Sequence, residues 1–359
     1  MVYHLIVLIP VMKCYLCSRA KFVFVLICFM LLFSPAHAQK SRPDKELNTI
    51  LTQWDQDEHK DLRSVLILQQ GKMIAEHYYN GATAASLHDA RSVGKSITSL
   101  LLGAAVDRGS IRSINEPVWH YWPASKGSVA GEATLAHVLS MRSGLAAYDA
   151  DQASPGNEEK LDAASDPLAF MLALPADGIP GTSYRYNSVT AYLAGITVEK
   201  ATGQDLESFA RTSLFQPMGI RHWQWGRDVA GHPKGQGNLS LTARDFAKIG
   251  QLVLDKGMYQ GQRVISAAWI EAMLTPQVSI ADVDNYADNY AYFWYSKTQI
   301  IKGKTVLVFF ASGNGGNKIY VIPSLHAVVV VTSSAYGKGY GQRRSENILK
   351  SILAEKLNQ

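Results

Sequence analysis

Two β-prone runs, SVLIL and MIAEHYY, flank Gln70-Gly71-Lys72 and predict a hairpin over residues 64–79. The period then changes. Val93, Ile97, Leu100, Leu101, Ala104 and Ala105 recur at steps of three, four and one, a buried helical stripe that Gly109 is placed to end. Residues 119–235 alternate short helical patterns with turns such as Ile179-Pro180-Gly181, and from Leu239 the run SLTARDFAKIGQLVLDKG predicts a second strong helix. The last third returns to strands, YAYFWYS, KTVLVFFAS, NKIYVIP and HAVVVVTSS, whose short connections imply antiparallel pairing. SENILKSILAEKL then predicts a closing amphipathic helix capped by Ser345. Strands at both ends with helices between them predict an α/β (α+β) architecture. One antiparallel sheet is assembled from residues 39–118 and 236–359, helices cover its faces, and a mostly helical lobe spans 119–235. The groove between the lobes is the natural place for an active site.

The first 38 residues follow another rule. Lys13, Arg19 and Lys21 precede the apolar run FVFVLICFMLLF, which is followed by SPAHA, and the three together read as a secretory signal cut after Ala38. The apolar core, residues 22–33, falls short of the roughly 20 residues that span a bilayer, so a periplasmic or secreted protein without a stable membrane anchor is expected. The segment from Met12 is a well-proportioned signal by itself, so either Met1 or Met12 fits as the start. Cys14, Cys17 and Cys28 all lie in this segment; residues 39–359 hold no cysteine for a disulfide, a nucleophile or a metal site. The chain has 35 basic and 30 acidic residues, and three of the basic ones fall before Gln39, which leaves a balance of +2 without a basic stripe. Nucleic acid is thereby excluded as an expected partner. No His and acidic residues show metal-ligand spacing, and no cofactor is expected.

Candidate chemistry concentrates at Ser92-Val93-Gly94-Lys95, where a serine and a lysine share one face of the first turn of the apolar helix. A serine needs a neighbouring base to become a nucleophile. The helix end favours an oxyanion over an ammonium, and burial would lower the lysine pKa in the same sense. The same spacing also occurs at Ser18–Lys21 inside the signal, so spacing alone does not separate a catalytic pair from a capped, solvated helix start. Ala90-Arg91-Ser92-Val93-Gly94 also approximates a nucleophile elbow, but the preceding GATAASLHDA reads as no strand and His326 falls at the head of AVVVV. Two further blocks stand out. Tyr184 and Tyr186 precede a helix starting near Ser188, and Asn314-Gly315-Gly316-Asn317 heads a strand, where glycines let a substrate or a facing helix approach the backbone. His137 reads as structural. Trp122, Trp223, Trp225 and Trp294 suit either an aromatic cleft or the core.

RSVGKSITSLLLGAAVDRG, LAHVLSMRSGL, PGTSYRYNSVTAYLAGITVEKATG, NLSLTARDFAKIGQLVL and SGNGGNKIYVIPSLHAVVVV occur in the order seen in one family. Together they resemble serine hydrolases of the β-lactamase/penicillin-binding superfamily, in particular the class C-related branch that contains esterases, D-aminopeptidases and 6-aminohexanoate-dimer hydrolase. The resemblance covers most of residues 39–359 and implies a three-layer α-β-α sandwich plus a helical lobe. It also implies an acyl-enzyme on Ser92, with Lys95 assisting deprotonation and Tyr186 as general base and later acid. The backbone N–H groups of Ser92 and Asn317 would form the oxyanion hole, and Ser188, Asn314, Gly315 and Gly316 would meet the substrate. Two positions depart from the branch's pattern: Ser188 stands where its β-lactamases usually have Asn, and Asn314-Gly315-Gly316 where they have Lys-Thr-Gly. Loss of that cation shifts the expected substrate from β-lactams to esters or linear amides without a carboxylate at that point. A β-lactamase or D-alanyl-D-alanine carboxypeptidase remains the alternative, and a weakly acylating penicillin-binding or sensor relative the second. Oligomeric state is left open.

Overall fold

Gln70 and Gly71 both take left-handed φ values, 51° and 72°, and make the two-residue turn of the hairpin between β1 (Leu62–Gln69) and β2 (Lys72–Tyr78). The structure, a computed structural model, describes Lys45–Lys356, all within one unit from Ser41 onward; the expected signal and its cysteines lie outside the described residues. The hairpin joins strands from the other end of the chain. With β3 (Leu87–Asp89), β4 (Gln224–Trp225), β5 (Leu239–Thr242), β6 (Met258–Tyr259), β7 (Gln262–Arg263), β8 (Val278–Ser279), β9 (Asn289–Tyr290), β10 (Tyr295–Ile301), β11 (Lys304–Gly313), β12 (Asn317–Ile322) and β13 (Ala327–Ser333), the order of the main sheet is β2-β1-β13-β12-β11-β10-β9-β8. Its pairings are antiparallel, and β13 enters beside β1 with Val65 opposite Val331 and Ile67 opposite Val329. The expected sheet from both chain ends is therefore present.

Every residue of β13 is buried. That explains a continuous valine run in place of an alternating one: both faces of the strand are covered. On one face lie α2 (Val93–Asp107) and the later helix Ala243–Leu254; on the other lie α1 (Lys45–Thr52) and the C-terminal helix Tyr340–Lys356. Between them in sequence come α3 (Val129–Glu132), α4 (Leu135–Leu139), α5 (Glu158–Ala163), α6 (Pro167–Leu172), α7 (Ser188–Thr202) and α8 (Leu206–Ala210). The helix Ala243–Leu254 is thus α9, followed by α10 (Ala267–Leu274) and α11 (Tyr340–Lys356). α7 is buried along nearly its whole length and packs on α2, so the helical middle is anchored to the helix that carries Ser92.

Four local expectations change. Leu239–Thr242 forms strand β5 between β3 and β4, and α9 begins only after Thr242, whose side chain accepts from Asp245 N. YAYFWYS is interrupted: Phe293 takes φ 60°, Ala291 N donates to Trp294 O, and the chain folds back between β9 and β10. α11 starts at Tyr340, five positions before the expected cap. Its first turns show no apolar period because Arg344 is spent on buried ion pairs with Asp57 and Asp61, while Ser345 Oγ donates to Gly316 O. Before Ser92 a short strand does exist, β3, and His326 sits in a left-handed turn (φ 45°) ahead of β13.

Candidate active site

Ser92 caps α2 without using its hydroxyl, which makes no hydrogen bond to the helix's free N–H groups. The turn that presents it is unusual. Arg91 takes φ 53°, a conformation that costs a non-glycine residue about 1 kcal/mol or more. Neighbouring groups hold it: Asp89 Oδ1 accepts from Arg91 N at 2.9 Å, the guanidinium lies 4.2 Å above the Tyr336 ring, and Tyr336 Oη donates to Asp89 O. One turn along α2, Lys95 is 1% exposed, and its Nζ donates to Ser92 Oγ (3.0 Å), Ser188 Oγ (3.0 Å) and Gln236 O (2.9 Å). An ammonium has three protons to donate, and here each has an acceptor.

The electrostatics run against the expected lowering of the Lys95 pKa. Burial does push it down, but the Tyr186 oxygen and the negative charge of Glu158 and Asp149 outweigh burial, so Lys95 titrates above its ordinary value. Tyr186 reaches the same point from the loop before α7, with Lys95 Nζ 5.1 Å from its ring centre. Ser188, the first residue of α7, accepts from Lys95 and donates to Asp149 Oδ2 at 2.8 Å. Ser92, Tyr186, Asp149, Gln236, Arg91 and Asn314 line one cleft of about 980 Å³.

The sequence pattern of the family described as Beta-lactamase matches residues 56–351. The chain belongs to the Beta-lactamase family. It is 30% identical over 222 residues to 6-aminohexanoate-dimer hydrolase of Paenarthrobacter ureafaciens, covering 58% of this chain and 56% of that protein. It is 29% identical over 198 residues to Beta-lactamase of Escherichia coli (strain K12), covering 54% and 49%. The chain thus spans about half the length of the curated relatives it matches. A penicillin-binding protein homologue from Caulobacter crescentus shares the fold, with a TM-score of 0.70 at 17% identity over 87% of this chain and 98% of that one.

In this Beta-lactamase-family site the end of β11 is not arranged as expected. Gly313, with Ser312 before it, lies against the turn at Ala90–Ser92: a Cβ on Gly313 would stand 1.9 Å from Ala90 O and 3.3 Å from Ser92 N. Gly315 and Gly316 face away from the cleft. Both have positive φ, and a Cβ on Gly316 would stand 2.2 Å from Gly341 O, so this glycine pair admits the facing helix α11. Asn317 is not among the residues lining the cleft. It is fully buried; Nδ2 donates to Asn314 O and Ser333 O, and Oδ1 accepts from Ser333 N, which pins the turn to β13. Asn314 is exposed in the cleft, with its Oδ1 accepting from Gly337 N. The four tryptophans belong to the apolar core or pack against it, and none lines the cleft. His137, on α4, is likewise outside the lining, and burial lowers its pKa. Among the described residues no cluster of His, Cys, Asp and Glu could hold a metal ion, and no helix is long and apolar enough to cross a membrane.

Sequence reasoning missed Lys318. It lies on β12, is 3% exposed, and its Nζ donates to Ser312 Oγ at 2.8 Å and stands 4.7 Å from the Phe310 ring centre. Burial lowers its pKa to about 7, although Asp284 and Glu346 pull the other way. Since an unfolded lysine titrates near ~10.4, the cost of burying this charge is fully present below pH 7 and fades as pH rises toward ten. Lys318→Met is therefore expected to raise Tm by about 5 °C at pH 6, with a smaller gain at pH 9. Thermal unfolding of both proteins at the two pH values checks the sign; an equal or larger gain at pH 9 would contradict it.

Proposed function

We propose that the protein is an exported serine hydrolase that forms an acyl-enzyme on Ser92 and cleaves esters or linear amides. The observation that carries this reading is the buried Lys95 ammonium, which donates to Ser92 Oγ, Ser188 Oγ and Gln236 O beneath the cleft that Ser92 and Gln236 line. With all three protons engaged, Lys95 acts as a fixed positive charge, and the proton of Ser92 must leave by another route. Tyr186, which lines the same cleft with Lys95 Nζ 5.1 Å from its ring centre, would take it as a phenolate stabilised by Lys95. Ser92 Oγ then bonds to the substrate carbonyl carbon, and the bond to the leaving alcohol or amine breaks as Tyr186 returns the proton to it. Water, giving a proton to the same phenolate, then bonds to the acyl carbon, and the bond to Ser92 Oγ breaks as Tyr186 passes that proton to Ser92, releasing the acid.

The developing oxyanion would be held by the N–H of Ser92 and, in place of Asn317, by the N–H of Asn314, which follows the glycine packed on Ser92. The relative named 6-aminohexanoate-dimer hydrolase supports the linear-amide side of the reading. Export is inferred from residues 1–38 and is checked by the intact mass of periplasmic protein, which should begin at Gln39.

The test is incubation with a fluorophosphonate and with 4-nitrophenyl esters, a linear amide and a chromogenic cephalosporin. We expect one label, on the peptide containing Ser92, and a burst followed by steady release of nitrophenol. A label on Ser143 or Ser188 would refute the nucleophile. A burst with no turnover would favour a binding relative, and turnover of the cephalosporin above that of the esters a β-lactamase.

A further inference from the structure

Lys318 and Ser312 lie in the wall of the cleft that holds Ser92, yet the acyl-transfer chemistry above uses neither. Their setting is uncommon. Lys318 comes from β12 through the sheet, and the charged and titratable groups around it come from four other elements: Ser312 on β11, Lys297 on β10, Glu346 on α11, and Asp284 and Tyr286 on the loop before β9. Glu346 is already engaged by Lys297 and Lys350, each at 3.3 Å. Among the described residues no carboxylate forms an ion pair with Lys318, and its Nζ makes one hydrogen bond, to Ser312 Oγ. A buried ammonium without an anion is costly, and the cost is recovered when an anion arrives.

The direction of the hydrogen bond matters. An ammonium can only donate, so Ser312 Oγ must accept from it and is left free to give its own proton to whatever occupies the cleft. A neutral amine can accept from Ser312 and remove that offer. We propose that Lys318, acting through Ser312, makes this wall a subsite for an acidic group carried by the substrate, and that the protonation state of Lys318 switches the subsite on and off. The subsite rests on the acyl-enzyme reading and narrows its substrate class to esters or amides bearing a carboxylate remote from the scissile bond. Because burial holds the Lys318 pKa at about 7, the switch falls near neutrality. Arg91, half-buried in the same cleft beside Asp89, offers an anion a second positive charge, and the pH profile separates the two.

The experiment compares kcat/KM for 4-nitrophenyl hexanoate, the mono-4-nitrophenyl ester of adipic acid and 4-carboxyphenyl hexanoate from pH 5.5 to 8.5. Turnover of the neutral ester tests the hydrolase reading; the ratio of anionic to neutral ester tests the subsite, because acid–base steps at the reacting carbonyl are common to all three esters. At pH 6 at least one anionic ester should be preferred by about tenfold, the factor of one charge-assisted hydrogen bond, and the preference should fall toward one by pH 8.5. In Lys318→Met and in Ser312→Ala the ratio should be near one at every pH, with folding of each variant verified by thermal unfolding. Absence of any preference in the unmodified protein overturns the proposal, as does a preference that either folded variant retains. A preference independent of pH would assign anion recognition to Arg91 and equally overturn it.

Discussion

Lys95→Met and Tyr186→Phe should each lower kcat/KM for a neutral aryl ester by about 10³-fold, within the range for loss of a positioned acid–base group. The double variant should lose little more than either single one. The reason is that in the proposed mechanism Lys95 and Tyr186 act as one device. Tyr186 is a useful base only as a phenolate, and the phenolate is stabilised by an ammonium whose three protons are fixed on Ser92, Ser188 and Gln236 O. Once either partner is gone, the other has little left to contribute, as in other catalytic units whose single losses approach the combined loss. Steady-state kinetics on the three variants, with fluorophosphonate labelling rates alongside, decides the matter. Losses that multiply to about 10⁶ would mean independent roles. An active Tyr186→Phe would assign the base to Lys95 and refute the coupled pair.

What the sequence made legible is what local pattern can carry. The β1–β2 hairpin follows from a two-residue turn with left-handed backbone, and α2 from a stripe that is buried along its length. The placement of Ser92 and Lys95 on one helix face needed nothing more than their spacing. Matters that depend on a second element were hidden. The glycine pair after β11 looked like a substrate-facing motif, but α11 passes over it, and the glycine packed on Ser92 is Gly313, three positions from Gly316. Lys318 carried no signal in the strand run NKIYVIP; it is buried where β12 meets α11. Asp149 stood at the head of a polar loop with no signal of its own. Only the fold brings it to Ser188, and through Ser188 to Lys95.

Gly313→Ala should cost at least about 10² in kcat, with a smaller change in KM, and should also slow covalent labelling of Ser92. Gly313 is not among the residues with positive φ, so alanine meets no backbone penalty there. The cost comes from contact alone. The new methyl would stand 1.9 Å from Ala90 O, far inside van der Waals distance, and 3.3 Å from Ser92 N. Either the end of β11 or the turn at Ala90–Ser92 must give way. That turn is already held in a left-handed conformation at Arg91 by Asp89 and Tyr336, so its displacement carries Ser92 and its N–H with it. A shift of about 1 Å at a reacting centre is enough for a loss of this size. The proposed second donor, the N–H of Asn314, follows Gly313 directly and moves with the strand. Because labelling by a fluorophosphonate also needs the oxyanion donors, its rate should fall with kcat, whereas a defect confined to substrate binding would leave it unchanged. Thermal unfolding guards against simple loss of fold. A folded Gly313→Ala protein with undiminished kcat would show that the oxyanion is held elsewhere, and the contact between β11 and the nucleophile turn would then be packing without a part in catalysis.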